Sequence, residues 1–308
     1  MSGVHSIKRI LVPTDFTACA DGALLHALYV ARMEGATVSI LHVAEQLAPA
    51  MQGKQYPHMQ TYYDRMIVAL QRSMRATLPD LHHEVEVFYQ TRIGRDIPGG
   101  ILNHAKEHDI DLIVMGTMGQ RQESSVLMGS STTKVVRKAT CHVLSVGPTA
   151  LQDPELVKRI LVPIDFSEAS RYVFKFAQSI VERIGGELIL LHVIAPEEQD
   201  SKEEKLAQLR QYLPPENDGN QTYRVCVGSG NPLFEIPAFA HRHHVNLVVI
   251  SYHERRDVEA PFIGCVVEQV VQMAPCPVFR IKPKVGEGTV NQSSGRKARS
   301  RTQTEKKK

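Results

Sequence analysis

The chain has 308 residues, 43% apolar and 22% charged, ordinary proportions for a globular protein with room for about two cores. No apolar run nears the ~18 residues that span a bilayer, and MSGVHSIKRILV at the start lacks the apolar core of a signal peptide, so a cytoplasmic protein is expected. The net charge of +3 is uneven: Val285–Lys308 holds seven Lys or Arg against two Glu, leaving a near-neutral body and a basic tail expected to be disordered.

In chain order, strands and helices alternate. Ile10–Val12 is a short apolar run, as in a strand buried on both faces. Leu24, Ala27, Leu28 and Ala31 recur at helical spacing over Asp21–Met33, and Gly35 ends that helix. Val38–Val43 is the second strand. A segment over Ala48–Tyr63, with Pro49, Gly53, Pro57 and three tyrosines, is either a lid over a site or a plain surface loop. The spacing predicts a helix over Asp64–Leu78, a strand over Val85–Tyr89, a helix over Pro98–His108 and a strand over Leu112–Met115. A last helix over Ser130–Lys138 and a strand over His142–Val146 complete the set.

The set then repeats. KRILVPTDF at 8–16 returns as KRILVPIDF at 158–166, and LHV at 41–43 returns at 191–193, both offset by 150. DLIVMG at 111–116 matches NLVVIS at 246–251 at an offset of 135, so the first copy carries 15 extra residues between Val43 and Val85. The expected domains are 1–149 and 150–284, with a linker near Pro148–Glu155 and the tail over 285–308. Alternation of this kind predicts an α/β fold: two tandem doubly wound domains, each with a five-stranded parallel sheet and helices on both faces. The final strands, His142–Val146 and Pro277–Ile281, are β-branched edges that invite pairing, between the copies about a pseudo-twofold axis and between two chains as a homodimer.

Chemistry concentrates in Asp111–Ser131, DLIVMGTMGQRQESSVLMGSS. Gly116 and Gly119 follow a buried strand, and Gly129 precedes Ser130, Ser131, Thr132 and Thr133 at a helix start. Glycines let main-chain N–H groups approach an anion. A helix N-terminus adds unpaired N–H groups and a favourable dipole, and hydroxyls there can donate to phosphate oxygens. Short glycine motifs are weak alone. Here two glycines and a Gly-Ser pair share one strand–loop–helix unit, which favours phosphate over a plain turn and N-cap.

These residues carry a resemblance. VPTDFT at 12–17, LHV at 41–43, and Gly116-x-x-Gly119 followed, after nine intervening residues, by Gly129-Ser130 make the chain similar to a tandem universal stress protein over about Ser6–Pro283. The resemblance implies a five-stranded parallel sheet in each copy, ATP as ligand and Mg2+ carried on its phosphates. It implies Asp15 and the backbone of Val43 at the adenosine end, with Pro13, Thr14 and Met115 lining the site. Gly116, Gly119, Gly129, Ser130, Ser131 and Thr132 would wrap the phosphates. The family often places His between the first two glycines and Arg after the second; here stand Met118, then Gln120, Arg121 and Gln122, with Arg121 one position along.

The second copy departs further. Gly116 corresponds to Ser251, Gly119 to Glu254 and Ser130 to Cys265, while Asp165, Val193 and Gly264 persist. A carboxylate where polyphosphate would lie is repulsive, though Arg255 and Arg256 offset part of it. One ATP per chain is therefore expected. His42 and His192 recur in both copies and are assigned to packing. His241 and His244 lack a third spaced ligand and are assigned to a solvated helix face. Cys141 and Cys276 are assigned to packing as small apolar groups. Five cysteines with no Cys-x-x-Cys pair fit a reducing compartment.

Three functions compete. The first is an ATP-binding, nucleotide-responsive regulator of the stress response, read by a protein partner the sequence does not name. The second is a slow ATP hydrolase or self-phosphorylating enzyme, using Thr117 or the hydroxyls of Ser130–Thr133; no paired carboxylates or nucleophile–base pair support it. The third is a non-catalytic scaffold with a vestigial site. The basic tail adds possible contact with nucleic acid, balanced by a solubilising role.

Overall fold

In the computed structural model the described residues are 7–45, 61, 64–69, 71–72, 84–118, 129–148, 157–196, 201–214, 221–251 and 266–283. The loop over Ala48–Tyr63, apart from residue 61, and the tail over 285–308 lie outside them, as does all but Pro148 of the linker.

The first copy runs β1 (Arg9–Pro13), α1 (Ala18–Glu34), β2 (Thr37–Glu45), β3 (Val87–Gly94), α2 (Ile97–Glu107), β4 (Leu112–Gly116), α3 (Ser130–Lys138) and β5 (His142–Val146). The second runs β6 (Arg159–Pro163), α4 (Glu168–Ile184), β7 (Gly186–Ile194), α5 (Lys202–Arg210), β8 (Gln221–Ser229), α6 (Pro232–Arg242), β9 (Leu247–Ser251), α7 (Val266–Met273) and β10 (Val278–Ile281). Residues 64–69, from the helix expected over Asp64–Leu78, are helical.

Local chemistry sets the ends of these elements. Thr17 caps α1 by accepting from the Ala20 N–H, and Gly35 ends it in the left-handed conformation at φ 61°. Ser167 caps α4 in the same way, through Ser170. Asp111 anchors the start of β1, accepting from the N–H groups of Lys8 (2.9 Å) and Arg9 (3.0 Å). Asn246 does the same for Lys158 and Arg159. The Asp-to-Asn difference between the copies therefore conserves an acceptor.

The strands order as β3-β2-β1-β4-β5-β10-β9-β6-β7-β8. Pairing is parallel within each copy and antiparallel where β5 meets β10, with Val278 opposite Ser145 and Arg280 opposite Val143. Both faces are covered. Ile10 and Val12 pack into the core under α1, and Leu11 into the opposite core under α2 and α3, which is why the run is apolar at every position. Burying each such side chain contributes roughly 1.5–3 kcal/mol.

Two expectations are corrected. The third strand lies at Val87–Gly94 rather than Val85–Tyr89, because it pairs along β2 from Val38 to Glu45. The final strands pair with each other, as expected between the copies, and this leaves neither as an edge for a second chain; the outermost strands are β3 and β8. On one face of the seam an apolar cleft, open to solvent, separates α1 from α4 over Leu144 and Phe279. Arg183 bridges it, pairing with Glu34 at 2.5 Å and donating to the Met33 carbonyl.

One buried group makes the fold sensitive to acid. His104 in α2 is 3% exposed, with its ring 4.2 Å from that of His108. Burial first, then the charges of His108 and Arg92, push its pKa down to about 4. The unfolded chain takes up that proton near pH ~6.5. The stabilisation is therefore complete above about pH 6.5 and is lost as pH falls toward 4, up to roughly 3 kcal/mol. In the second copy Phe239 occupies the equivalent place, its ring 4.0 Å from that of His243. Melting temperatures between pH 7 and 5 should fall less in His104→Phe than in the parent; equal slopes would refute this assignment.

Candidate functional site

The sheet order turns between β1 and β4: the chain winds outward from β1 through β2 to β3, then restarts on the other side with β4 and β5. Ligands of open α/β sheets lie beyond the strand C-termini at such a reversal. Pro13 ends β1 and Thr14 and Asp15 follow it, Val43 lies near the end of β2, and Met115 and Gly116 end β4. The order β2-β1-β4 brings these three strand ends side by side.

At the end of β1, Thr14 is buried; its N–H donates to the Leu41 carbonyl at 2.9 Å and its hydroxyl accepts from the Phe16 N–H at 3.0 Å. Asp15 Oδ1 accepts from the Thr17 N–H (3.2 Å) and hydroxyl (2.6 Å). Asp165 makes the same pair of bonds with Ser167, at 3.1 and 2.6 Å. A turn-forming role is thus common to both copies. Phe16 and Phe166, both at φ 62°, carry the chain through this turn. His42 Nδ1 lies 2.8 Å from the Thr14 carbonyl, with its ring 4.8 Å from that of Phe16, and His192 repeats both contacts. These histidines brace the turn.

The two ends of the glycine loop are stitched together. The Gly129 N–H donates to the Thr117 carbonyl at 2.7 Å, the Thr132 hydroxyl donates to the Gly116 carbonyl at 2.9 Å, and the Thr117 N–H donates to Val146 at 3.0 Å. Gly119, Gln120, Arg121 and Gln122 lie outside the described residues. Thr117 and Thr132 are buried, Ser131 is half-buried and Ser130 is exposed. The hydroxyls of Thr132 and Thr133 are directed back to the carbonyls of Gly116 and Gly129.

The start of α3 is distinctive. Gly129 is its N-cap, supplies no side-chain cap, and no acid stands in the first turn. The five other helices with a described N-cap in the chain use Thr17, Asp96, Ser167, Ser201 or Asn231. Among the described residues, then, no side chain caps the first N–H groups of α3, and such groups are of the kind that bind anions. Arg137 and Lys138 stand in its last turn.

The two glycines differ. A Cβ on Gly116 would lie 2.9 Å from Cys19 Sγ and 3.0 Å from the Cys19 carbonyl, so its smallness is already required by α1. A Cβ on Gly129 would have only ordinary contacts, 3.4 Å to the Thr117 carbonyl being the nearest. Gly100 is another close approach: a Cβ there would lie 2.6 Å from Val43, a contact the motif spacing did not reveal. Its counterpart in the second copy is Glu235, which packs over Gly228 and pairs with Arg242. Comparing the copies at position 100 could have found it.

The geometry places an uncapped helix start, stitched to a strand end, at the reversal of a doubly wound sheet in a duplicated chain. The universal stress protein family model matches residues 6–147 and again 157–282. The chain belongs to the universal stress protein family. It is 25% identical over 292 residues to a universal stress protein of Mycolicibacterium smegmatis, spanning 89% of this chain and 97% of that one. Universal stress protein A homolog 1 of Coxiella burnetii is 28% identical over 141 residues, 45% of this chain and 95% of its own. In fold the chain is similar to the crystal structure of a universal stress protein from Archaeoglobus fulgidus, with TM-score 0.63 at 21% identity, covering 89% of this chain and 98% of that one.

Other candidates take their places around this site. In the second copy Asp165 is exposed, Ile164 replaces Thr14, and Ser251 ends β9; Glu254, Arg255, Arg256, Gly264 and Cys265 lie outside the described residues. His241 and His244 are exposed near the end of α6. Burial pushes the Cys141 thiol up to about 11 and the Cys276 thiol up to about 12, so both stay protonated and unreactive at neutral pH. No helix among the described residues is long and apolar enough to cross a membrane.

Proposed function

We propose that the N-terminal universal stress protein domain, within 1–149, binds one ATP with Mg2+ on its phosphates, that the domain within 150–284 binds none, and that occupancy is the signal of a cytoplasmic regulator of the stress response. The observation that carries this is the open start of α3 held against Gly116 and Thr117. In this reading the N–H groups of Ser130, Ser131 and Thr132 face the phosphates, and Gly119 lets the loop main chain approach them. Pro13, Thr14, Asp15, Val43 and Met115 form the adenosine end. The exposed Ser130 hydroxyl makes no hydrogen bond among the described residues and suits a phosphate oxygen.

The second domain lacks the means. Ser251 and Glu254 replace two cradle glycines. Regulation requires that nucleotide favour one state over another, sensed by a protein partner. A homodimer is part of the reading, and it must use a surface other than β5 and β10, which are consumed within the chain.

Calorimetric titration of the full chain with Mg-ATP should give one site. Two equivalent sites would overturn the assignment of the second domain, and none would overturn the reading itself. Labelled ATP released as ADP and phosphate, or retained on the protein, would move the reading to the enzyme class.

A further inference from the structure

The helix that opens the cradle is held at its far end by the other domain. Arg280, in β10, is 1% exposed. Its guanidinium donates to the Cys141 carbonyl at 2.7 Å and to the Ala139 carbonyl at 3.1 Å. Ala139 is the C-cap of α3, where the last carbonyls have no intrahelical partner and the dipole favours a cation. A second tie joins Arg137, in the last turn of α3, to Glu268 of α7. The pair is bidentate, at 2.7 and 2.8 Å, with the Glu268 side chain 9% exposed.

Both ties run one way. At the offset of 135, Arg280 corresponds to Ser145, whose buried hydroxyl has no hydrogen-bond partner among the described residues. Arg137 and Glu268 correspond to Gln272 and Thr133, which cannot form an ion pair. The domain with the glycine cradle is held, and the domain without it supplies Arg280 and Glu268. Burying a guanidinium in a seam of apolar strands is costly, so its presence needs a use that Ser145 does not serve.

We infer that the second domain is a built-in positioning subunit: Arg280 and Glu268 fix α3 so that its N-terminal amides stay aimed at the phosphates of the first domain's ligand. This rests on the nucleotide reading above. Small displacements of a positioned group carry large penalties, and α3 is only nine residues long, so a shift at its end reaches its start.

The test uses the full chain with Arg280→Met, Arg280→Lys, Glu268→Gln and, as control, Phe279→Ala. Phe279 is the neighbour of Arg280 on the opposite face of β10, its ring 5.2 Å from that of Phe176. Three quantities are measured: Mg-ATP affinity, melting temperature, and hydrogen exchange of α3 without nucleotide. Arg280→Met should weaken ATP about tenfold and speed exchange in α3, Glu268→Gln about threefold, and Arg280→Lys should recover part of the loss. Phe279→Ala should lower the melting temperature with affinity within about twofold. If Arg280→Met does not fold, Glu268→Gln carries the comparison. Unchanged α3 exchange, or equal weakening by Phe279→Ala at a matched loss of stability, overturns the inference. A parent chain that binds no ATP while exchange in the variants still rises overturns the nucleotide reading and leaves the hold on α3 standing.

Discussion

Gly129→Asp should make the protein more stable and nearly abolish ATP binding. Gly129 is the N-cap of α3, at φ −57° and ψ 139°, a conformation that aspartate adopts without strain. Among the described residues an added Cβ would make only ordinary contacts, the nearest at 3.4 Å to the Thr117 carbonyl. The new carboxylate would accept from the first amides of α3 and sit at the positive end of the helix dipole. Replacing glycine at a cap adds a few tenths of a kcal/mol, and the dipole about 0.3–1 more. A rise of roughly 2 °C in melting temperature follows. The same carboxylate occupies the position proposed for phosphate. Two like charges about 4 Å apart at an effective dielectric near 20 cost ~4 kcal/mol, so a loss of about a hundredfold in affinity is a conservative expectation. Calorimetry and thermal melting of one purified variant read both signs. A variant that binds Mg-ATP like the parent would mean that the open helix start is an ordinary glycine cap.

The fold was largely legible because its signals are periodic and doubled. KRILV at 8–12 and 158–162 marks a strand covered on both faces, and the 3.6-residue spacing of Leu24, Ala27, Leu28 and Ala31 marks the helix that covers it. The chain keeps both in each copy. The third strand lies further along the chain than its alternation suggests, because Val85 lengthens the alternation on one side while the pairing partner Val38–Glu45 extends toward Gly94 on the other. Strand limits are set by a neighbour distant in sequence. The site divides in the same way. Gly116, Gly129 and Ser130 stand at fixed spacing and are legible as a motif. The stitching of Thr132 to Gly116, the contact of Gly116 with Cys19, and the hold of Arg280 on α3 join residues 16, 97 and about 140 positions apart, and no local pattern encodes them. Position 280 was visible only as one arginine in an apolar strand. Its meaning appears when the copies are overlaid and Ser145 is found in its place.

Gly116→Ser should cost stability through α1 before any nucleotide is considered. The added Cβ meets Cys19 Sγ at 2.9 Å, closer than real Cβ contacts come, and the Cys19 main-chain carbon and oxygen at 3.0 Å, tighter than nearly all of them. Both partners are in elements that cannot give way cheaply: Gly116 ends β4, paired to β5, and Cys19 sits in the first turn of α1, its thiol donating to the Val146 carbonyl at 3.3 Å. Overpacking of this kind costs about 1–3 kcal/mol, a fall of several degrees in melting temperature. The second copy carries serine at this position, Ser251, and has Ala169 where the first has Cys19. The pair exchanges bulk across the same helix–strand contact. Adding Cys19→Ala to Gly116→Ser should therefore recover part of the loss, by removing the Sγ contact and leaving the main-chain one. A double variant no more stable than the single would show that the main-chain contact alone limits the position. Together with Gly129→Asp, this pair separates the two uses of glycine in one loop. At 116 stability and affinity should fall together, because the residue is small for the sake of α1. At 129 they should move in opposite directions, because in the proposed reading the residue is small for the sake of the ligand.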